Sequence, residues 1–188
     1  DIDKQKIDLL NDGKIPIYEP GLKRLITRSV NSKRLTFTAA VTEAIKWAEV
    51  IFIAVGTPQG ENGDADISAV IAVAEEIGKN LNNYKVISTK STVPIGTGKM
   101  IQKIIDQHNH DNIKYDYCSN PEFLREGTAV RDFLHPDRIV LGSTGDKAFD
   151  YLKDVYRPLY INETPMVHTT VETAEMIKYA ANAFLAIK

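Results

Sequence analysis

Residues 50–55 read VIFIAV, six apolar side chains in a row, four of them β-branched. A strand with one face in water alternates polar and apolar residues. An unbroken run of this length belongs instead to a parallel strand covered on both faces. The spacing of similar runs then sets the architecture. Short strands are predicted at LTFT (35–38), KVISTK (85–90), YDYCS (115–119), DRIVLG (137–142) and MVHT (166–169). Amphipathic helices are predicted between them: 4–11 capped by Asp3 and stopped by Gly13, about a dozen residues from Gly21, 42–49, and 67–81 capped by Asp66. Further helices are predicted at 97–108, at 146–156, and from Val171 to the end. Alternation at this spacing implies an α/β fold, a doubly wound and mostly parallel sheet with helices on both faces.

Composition narrows the function classes. The chain has 188 residues, enough for one domain or one domain with a small appendage. Its 23 basic and 25 acidic residues are interspersed and give a net charge of −2, so no basic stripe for nucleic acid is present. A single cysteine, Cys118, excludes an internal disulfide and suits a reducing, cytoplasmic setting. No apolar run reaches 18 residues, and no signal-peptide pattern occurs. The chain opens on DIDKQ without Met and closes inside the apolar helical pattern AANAFLAIK, which reads as a piece of a longer protein.

In open parallel sheets, ligands bind at the carboxyl ends of the strands. Three loops leave those ends: GTPQ after 50–55, STVPIG after 85–90, and NPEFLREG after 115–119. Gly56 and Pro58 make a plain turn or a close approach of backbone to a ligand. STVPIGTG (91–98) places hydroxyls and backbone N–H groups ahead of a helix N-terminus, suited to an anion or to simple capping by Thr97. NPEFLREG carries Asn120, Glu122 and Glu126. If it turns helically, the two carboxylates share a face and can divide acid and base roles; otherwise it is an Asn-Pro turn with solvated charges. Asp1 is either a ribose-binding acid at the end of a second strand or an ordinary terminal aspartate, and Lys6 either reaches the same ribose or points to water. Lys178 and Asn182 lie four apart in IKYAANAFL, either as a two-donor site for negative charge on oxygen or as a snorkelling lysine beside a surface amide. Cys118, within an apolar strand, reads as a buried structural thiol. His108, His110, His135 and His168 have no metal-ligand spacing.

Together, DIDKQKI, IPIYEPGL (15–22), VGTP (55–58), STVPIGTG, SNPEFLREGTAV (119–130), HPDRIVLG (135–142) and AEMIKYAANAFLAIK (174–188) resemble the UDP-glucose/GDP-mannose dehydrogenase family, in the family's order. The resemblance implies a Rossmann-like NAD-binding domain over 1–169, without its first strand and glycine-rich loop, and the start of a long dimerising central helix over 170–188. It implies oxidation of a sugar-nucleotide alcohol to a carboxylate in two NAD-dependent steps. It assigns Asp1, Lys6, Gly56, Thr57, Pro58, Ser91, Thr92 and Glu126 to the NAD side. Glu122, Phe123, Leu124, Lys178 and Asn182 fall on the sugar-nucleotide side, with Thr92, Glu122, Lys178 and Asn182 as the catalytic set and no metal. The HPDRIVLG form is similar to that of members acting on UDP-glucose; GDP-mannose or a UDP-N-acetylhexosamine is the alternative, and a non-catalytic nucleotide-binding or assembly module another. The family's nucleophilic cysteine is expected after Lys188, so the 188 residues alone are expected to be inactive and to bind NAD poorly.

Overall fold

The computed structural model describes residues 1–162 and 164–188. In chain order the elements are α1 (Lys4–Asn11), α2 (Leu22–Asn31), α3 (Val41–Trp47), β1 (Val50–Ile53), α4 (Ser68–Asn80), β2 (Lys85–Thr89) and α5 (Thr97–His108). There follow β3 (Tyr115–Ser119), α6 (Ala129–Leu134), β4 (Ile139–Ser143), α7 (Asp146–Tyr156) with a 3-10 turn (Arg157–Asn162), β5 (Met166–Thr169) and α8 (Val171–Ile187). The five strands lie in the order β1-β2-β3-β4-β5. Every pairing is parallel except β3 with β4, a short antiparallel step of Cys118 opposite Ser143 and Ser119 opposite Gly142.

Both faces of the sheet are covered, as an unbroken apolar strand requires. Neighbouring residues of β2 point to opposite sides: Ile87 joins a core with Ala74 and Ile77 of α4 and Ile101 and Ile105 of α5, while Val86 joins Cys118, Leu141, Ala148 and Leu152. Each fully buried Ile or Leu contributes roughly 1.5–3 kcal/mol. Strand β2 is buried at all five positions, Lys85 included. That lysine is satisfied because Nζ donates to Ala48 O at 2.6 Å, Asn83 Oδ1 at 2.7 Å and Lys46 O at 3.3 Å, which places a cation at the C-terminus of α3.

Five expectations need correction. Residues 35–38 form no strand, because the ladder bonds that would make one are missing among the described residues. For the same reason β1 is an edge strand and most of VIFI is only half buried. Segment 120–125 does not turn helically, so Glu122 and Glu126 do not share a helix face. Thr97 does not cap α5: its hydroxyl donates to Pro94 O at 2.6 Å, and the position ahead of the helix is Gly96, at φ 91°. Asp66 assists α4 from one residue further out than expected, accepting the Ser68 N–H at 2.9 Å.

Helix α8 is drawn tightly onto this core. A methyl group on Gly142 would lie 2.4 Å from Thr170 O and 2.6 Å from Ala174 Cβ, and one on Gly98 would lie 2.5 Å from Val171 Cγ1. Two glycines, one in β4 and one in α5, therefore let the helix approach both elements. Its far end carries exposed Met176, Tyr179, Phe184, Leu185 and Ile187. No described helix is long and apolar enough to cross a membrane.

Candidate functional site

A cleft of about 750 Å³ opens where the segment leaving β3 faces α8, with Glu122, Phe123, Leu124, Lys178 and Asn182 in its wall. Because β4 runs against β3, the segment entering β4 also lines it, contributing His135, Asp137 and Arg138. Lys178 is buried, 8% of its side chain exposed, and Nζ donates to Glu122 Oε1 at 3.1 Å. The other carboxylate oxygen of Glu122 accepts the Leu124 N–H, so the chain folds back on its own side chain and that backbone donor is engaged internally. The Phe123 ring carries two cations, Arg138 at 4.4 Å and Lys178 at 5.3 Å from its centroid.

Contacts from outside hold segment 120–127 in its non-helical course. Arg125 grips Asp132 of α6 through Nη2 at 2.7 Å and Nε at 3.0 Å. Glu19, from the IPIYEPGL loop, accepts the Gly127 N–H at 2.9 Å across 108 positions of sequence. Glu126 is exposed in the turn and lies outside the cleft wall.

Behind Glu122 lies a second polar group. Asn120 is 1% exposed; its amide donates to Val140 O at 3.0 Å, and its Oδ1 accepts from Tyr156 Oη. Lys90, at the carboxyl end of β2, donates to the same Oδ1 at 3.4 Å and to Tyr156 Oη at 3.2 Å. Burial pushes the Lys90 amine down to about 8, with Lys178 pressing in the same direction and Glu122 opposing.

On the other side of the sheet's carboxyl edge, the GTP and STV loops are tied together. Thr57 Oγ1 donates to Thr92 O at 2.8 Å and Ser91 Oγ to Val55 O at 2.7 Å. Gly56 sits beside open space, with nothing within 4 Å of where a side chain would project. Asp1 and Lys6 pair at 3.0 Å at the start of α1, and no hydrogen bond joins them to the GTP or STV loops among the described residues. The anion seat read from STVPIGTG is filled by the protein itself. Glu175 of α8, 2% exposed, accepts the Gly96 and Gly98 N–H groups at 2.7 Å each. Burial raises its carboxyl above the ordinary range while those two N–H groups pull it down.

The structure thus brings Glu122, Phe123, Leu124, Lys178 and Asn182 to one cleft. It gathers Gly56, Thr57, Pro58, Ser91 and Thr92 separately. Lys90, Tyr156, Glu175 and Glu19 had no part in the sequence reading. For Glu175 a signal was there: a glutamate three residues ahead of Lys178 on one helix face. Cys118 is fully buried, and burial pushes its thiol up to about 12, which fits an inert core residue. His168 stacks on Phe149 at 4.2 Å and meets Ser143 Oγ at 2.8 Å, away from the cleft.

Residues 1–160 match the family described as UDP-glucose/GDP-mannose dehydrogenase family, NAD binding domain. Over its whole length the chain is 50% identical to UDP-glucose 6-dehydrogenase TuaD of Bacillus subtilis and to UDP-glucose 6-dehydrogenase of Rhizobium meliloti. It spans 40% and 44% of those two proteins. A UDP-glucose dehydrogenase from Pyrobaculum islandicum superposes over 99% of the chain at TM-score 0.94 and 37% identity, with 43% of that protein covered. GDP-mannose dehydrogenase of Pseudomonas aeruginosa superposes over the whole chain at TM-score 0.93 and 36% identity, with 44% covered.

Proposed function

The chain belongs to the UDP-glucose/GDP-mannose dehydrogenase family, and from that premise we propose that it forms the NAD-binding portion of a cytoplasmic enzyme that oxidises UDP-glucose to UDP-glucuronate. The observation that carries the reading is the buried Lys178 paired with Glu122 in a cleft at the strand ends. An ammonium with 8% of its side chain exposed acts in a medium of low dielectric, where its N–H groups strongly stabilise negative charge developing on an alcohol oxygen. Asn182, one turn along α8, adds a second donor on the same face. Glu122 holds Lys178 in place and offers a carboxylate that can take a proton from the sugar hydroxyl or from a water. Phe123, fixed by Arg138, walls the sugar side.

NAD, when bound, supplies the hydride acceptor. The residues present fit it: Gly56, exposed just beyond β1, leaves its backbone open to close approach, with nothing within 4 Å of where a side chain would project. Gly56, Thr57, Pro58, Ser91 and Thr92 would line its course, with Glu126 nearby and Asp1 and Lys6 on its ribose. The N-terminus of α5 is excluded as a phosphate seat, since Glu175 occupies it. The exposed apolar residues of α8 support pairing of two copies along that helix.

The test is NADH formation by the protein that carries this chain, compared across UDP-glucose, GDP-mannose and a UDP-N-acetylhexosamine. UDP-glucose is expected to give the highest kcat/KM. Glu122→Gln and Lys178→Met are expected to lower turnover on the order of 10²- to 10³-fold, with NAD affinity little changed. Near-normal rates in those variants would sink the site assignment, and no NADH with any of the three would favour a non-catalytic module.

A further inference from the structure

The cleft contains a second amine besides Lys178, and its surroundings are unusual for a lysine. Among the described residues Lys90 Nζ has no carboxylate within ion-pairing distance; its acceptors there are two neutral oxygens, Asn120 Oδ1 and Tyr156 Oη. Two aromatic faces lie near it, Phe133 of α6 at 5.9 Å and Tyr156 of α7 at 5.7 Å from the ring centroids. The charged and titratable groups facing it are Glu122, Lys178 of α8, Cys118 of β3 and Tyr156. An ammonium has three donors, and two of them are engaged among the described residues.

The acceptors also fix what Lys90 can move. Asn120 is bonded to Val140 of β4 and takes the Tyr156 hydroxyl, and its own backbone N–H donates to Thr89 O of β2 at 2.8 Å. It is the last residue before the turn into Pro121 and Glu122. A shift at Asn120 Oδ1 is therefore passed along two peptide units to the carboxylate that holds Lys178.

We propose that Lys90 is a positioning residue of this cleft: seated on Asn120 and Tyr156, its ammonium holds the turn that carries Glu122 and keeps a positive charge facing the Glu122–Lys178 pair. The kinetic part rests on the dehydrogenase reading above; the geometric part does not. A lysine so placed loses its charge at a pH where surface lysines keep theirs, with the midpoint at about 8. Turnover should then fall as pH rises through that value.

The experiment pairs Lys90→Met with Lys90→Arg in the protein that carries this chain. Lys90→Met should lower kcat on the order of 10- to 100-fold, the range expected for a small misplacement of a catalytic group. Lys90→Arg, which stays charged throughout, should recover most of the rate and lack the inflection near 8. A purely structural lysine would leave that inflection in place in Lys90→Arg, and that result would overturn the proposal. A second readout needs no turnover: trace acylation with acetic anhydride from pH 6 to 10, mapped by peptide mass. Wild-type Lys90 should titrate near 8, apart from the exposed lysines, and Lys178 should label several-fold faster in Lys90→Met as the turn loosens. Lys90 titrating with the surface lysines, or unchanged Lys178 labelling, would also overturn it. If acylation behaves as expected while no sugar nucleotide yields NADH, the positioning role stands and the dehydrogenase reading falls.

Discussion

Substituting Gly142 by alanine tests the seating of α8, on which the cleft depends. The added methyl would meet Thr170 O at 2.4 Å and Ala174 Cβ at 2.6 Å, about 1 Å short of ordinary contact. Both obstacles belong to the start of one helix and one is a backbone carbonyl, so no rotamer change relieves them. Overpacking of this kind costs typically about 1–3 kcal/mol, and an unyielding backbone atom places Gly142→Ala at the upper end. Loss of glycine's freedom in the unfolded chain returns about 0.5–1 kcal/mol. The net expectation is a destabilisation of about 2 kcal/mol, which in urea at about 2 kcal/mol per M moves the midpoint down by about 1 M. The clash also acts on the site: moving α8 outward by about 1 Å stretches the 3.1 Å bond from Lys178 to Glu122 beyond useful reach. Gly56→Ala is the control for stability, since nothing lies within 4 Å of its new methyl. It should stay within about 0.5 kcal/mol of wild type. If Gly142→Ala unfolds at the same urea concentration as Gly56→Ala, the seating argument is wrong.

Two further outcomes follow from buried ionisable groups. With its thiol pushed up to about 12, Cys118 should resist iodoacetamide in the native protein at neutral pH and react only on unfolding; rapid native alkylation would refute its burial in the core. Glu175 has its folded-state carboxyl raised, so the folded chain binds that proton more tightly than the unfolded chain does. Stability should therefore fall as pH rises through the window above 4.5, and Glu175→Gln, which cannot ionise, should flatten that part of the curve in urea titrations.

Much of the fold was legible because its signals are local. The helices at 97–108 and 146–156 and the strands at 115–119 and 166–169 have the bounds that periodicity and caps predicted, since each carries its own pattern. What failed was what depends on partners. LTFT has the composition of a strand but no neighbour to pair with among the described residues, and nothing within its four residues records that. The non-helical course of NPEFLREG is held by Asp132 of α6 and by Glu19, the latter more than a hundred residues away, so the helical spacing of Glu122 and Glu126 was no guide. Lys178 could be singled out because a lysine among alanines is conspicuous. Lys90 could not, because its acceptors come from β3 and α7 and meet it only in the folded sheet.

The antiparallel step between β3 and β4 alters the division of labour around the cleft. In a wholly parallel sheet, the rim would be built only from segments departing from strands, each also responsible for launching the next helix. Here the approach to β4, residues 135–138, reaches the rim from the opposite direction and hands its chain straight into a buried strand. Its sequence is released from any duty to start a helix, so substitutions there can reshape the cleft wall without disturbing a helix start. The reversal at β4, which β5 follows, thus sets two kinds of rim segment apart along the chain.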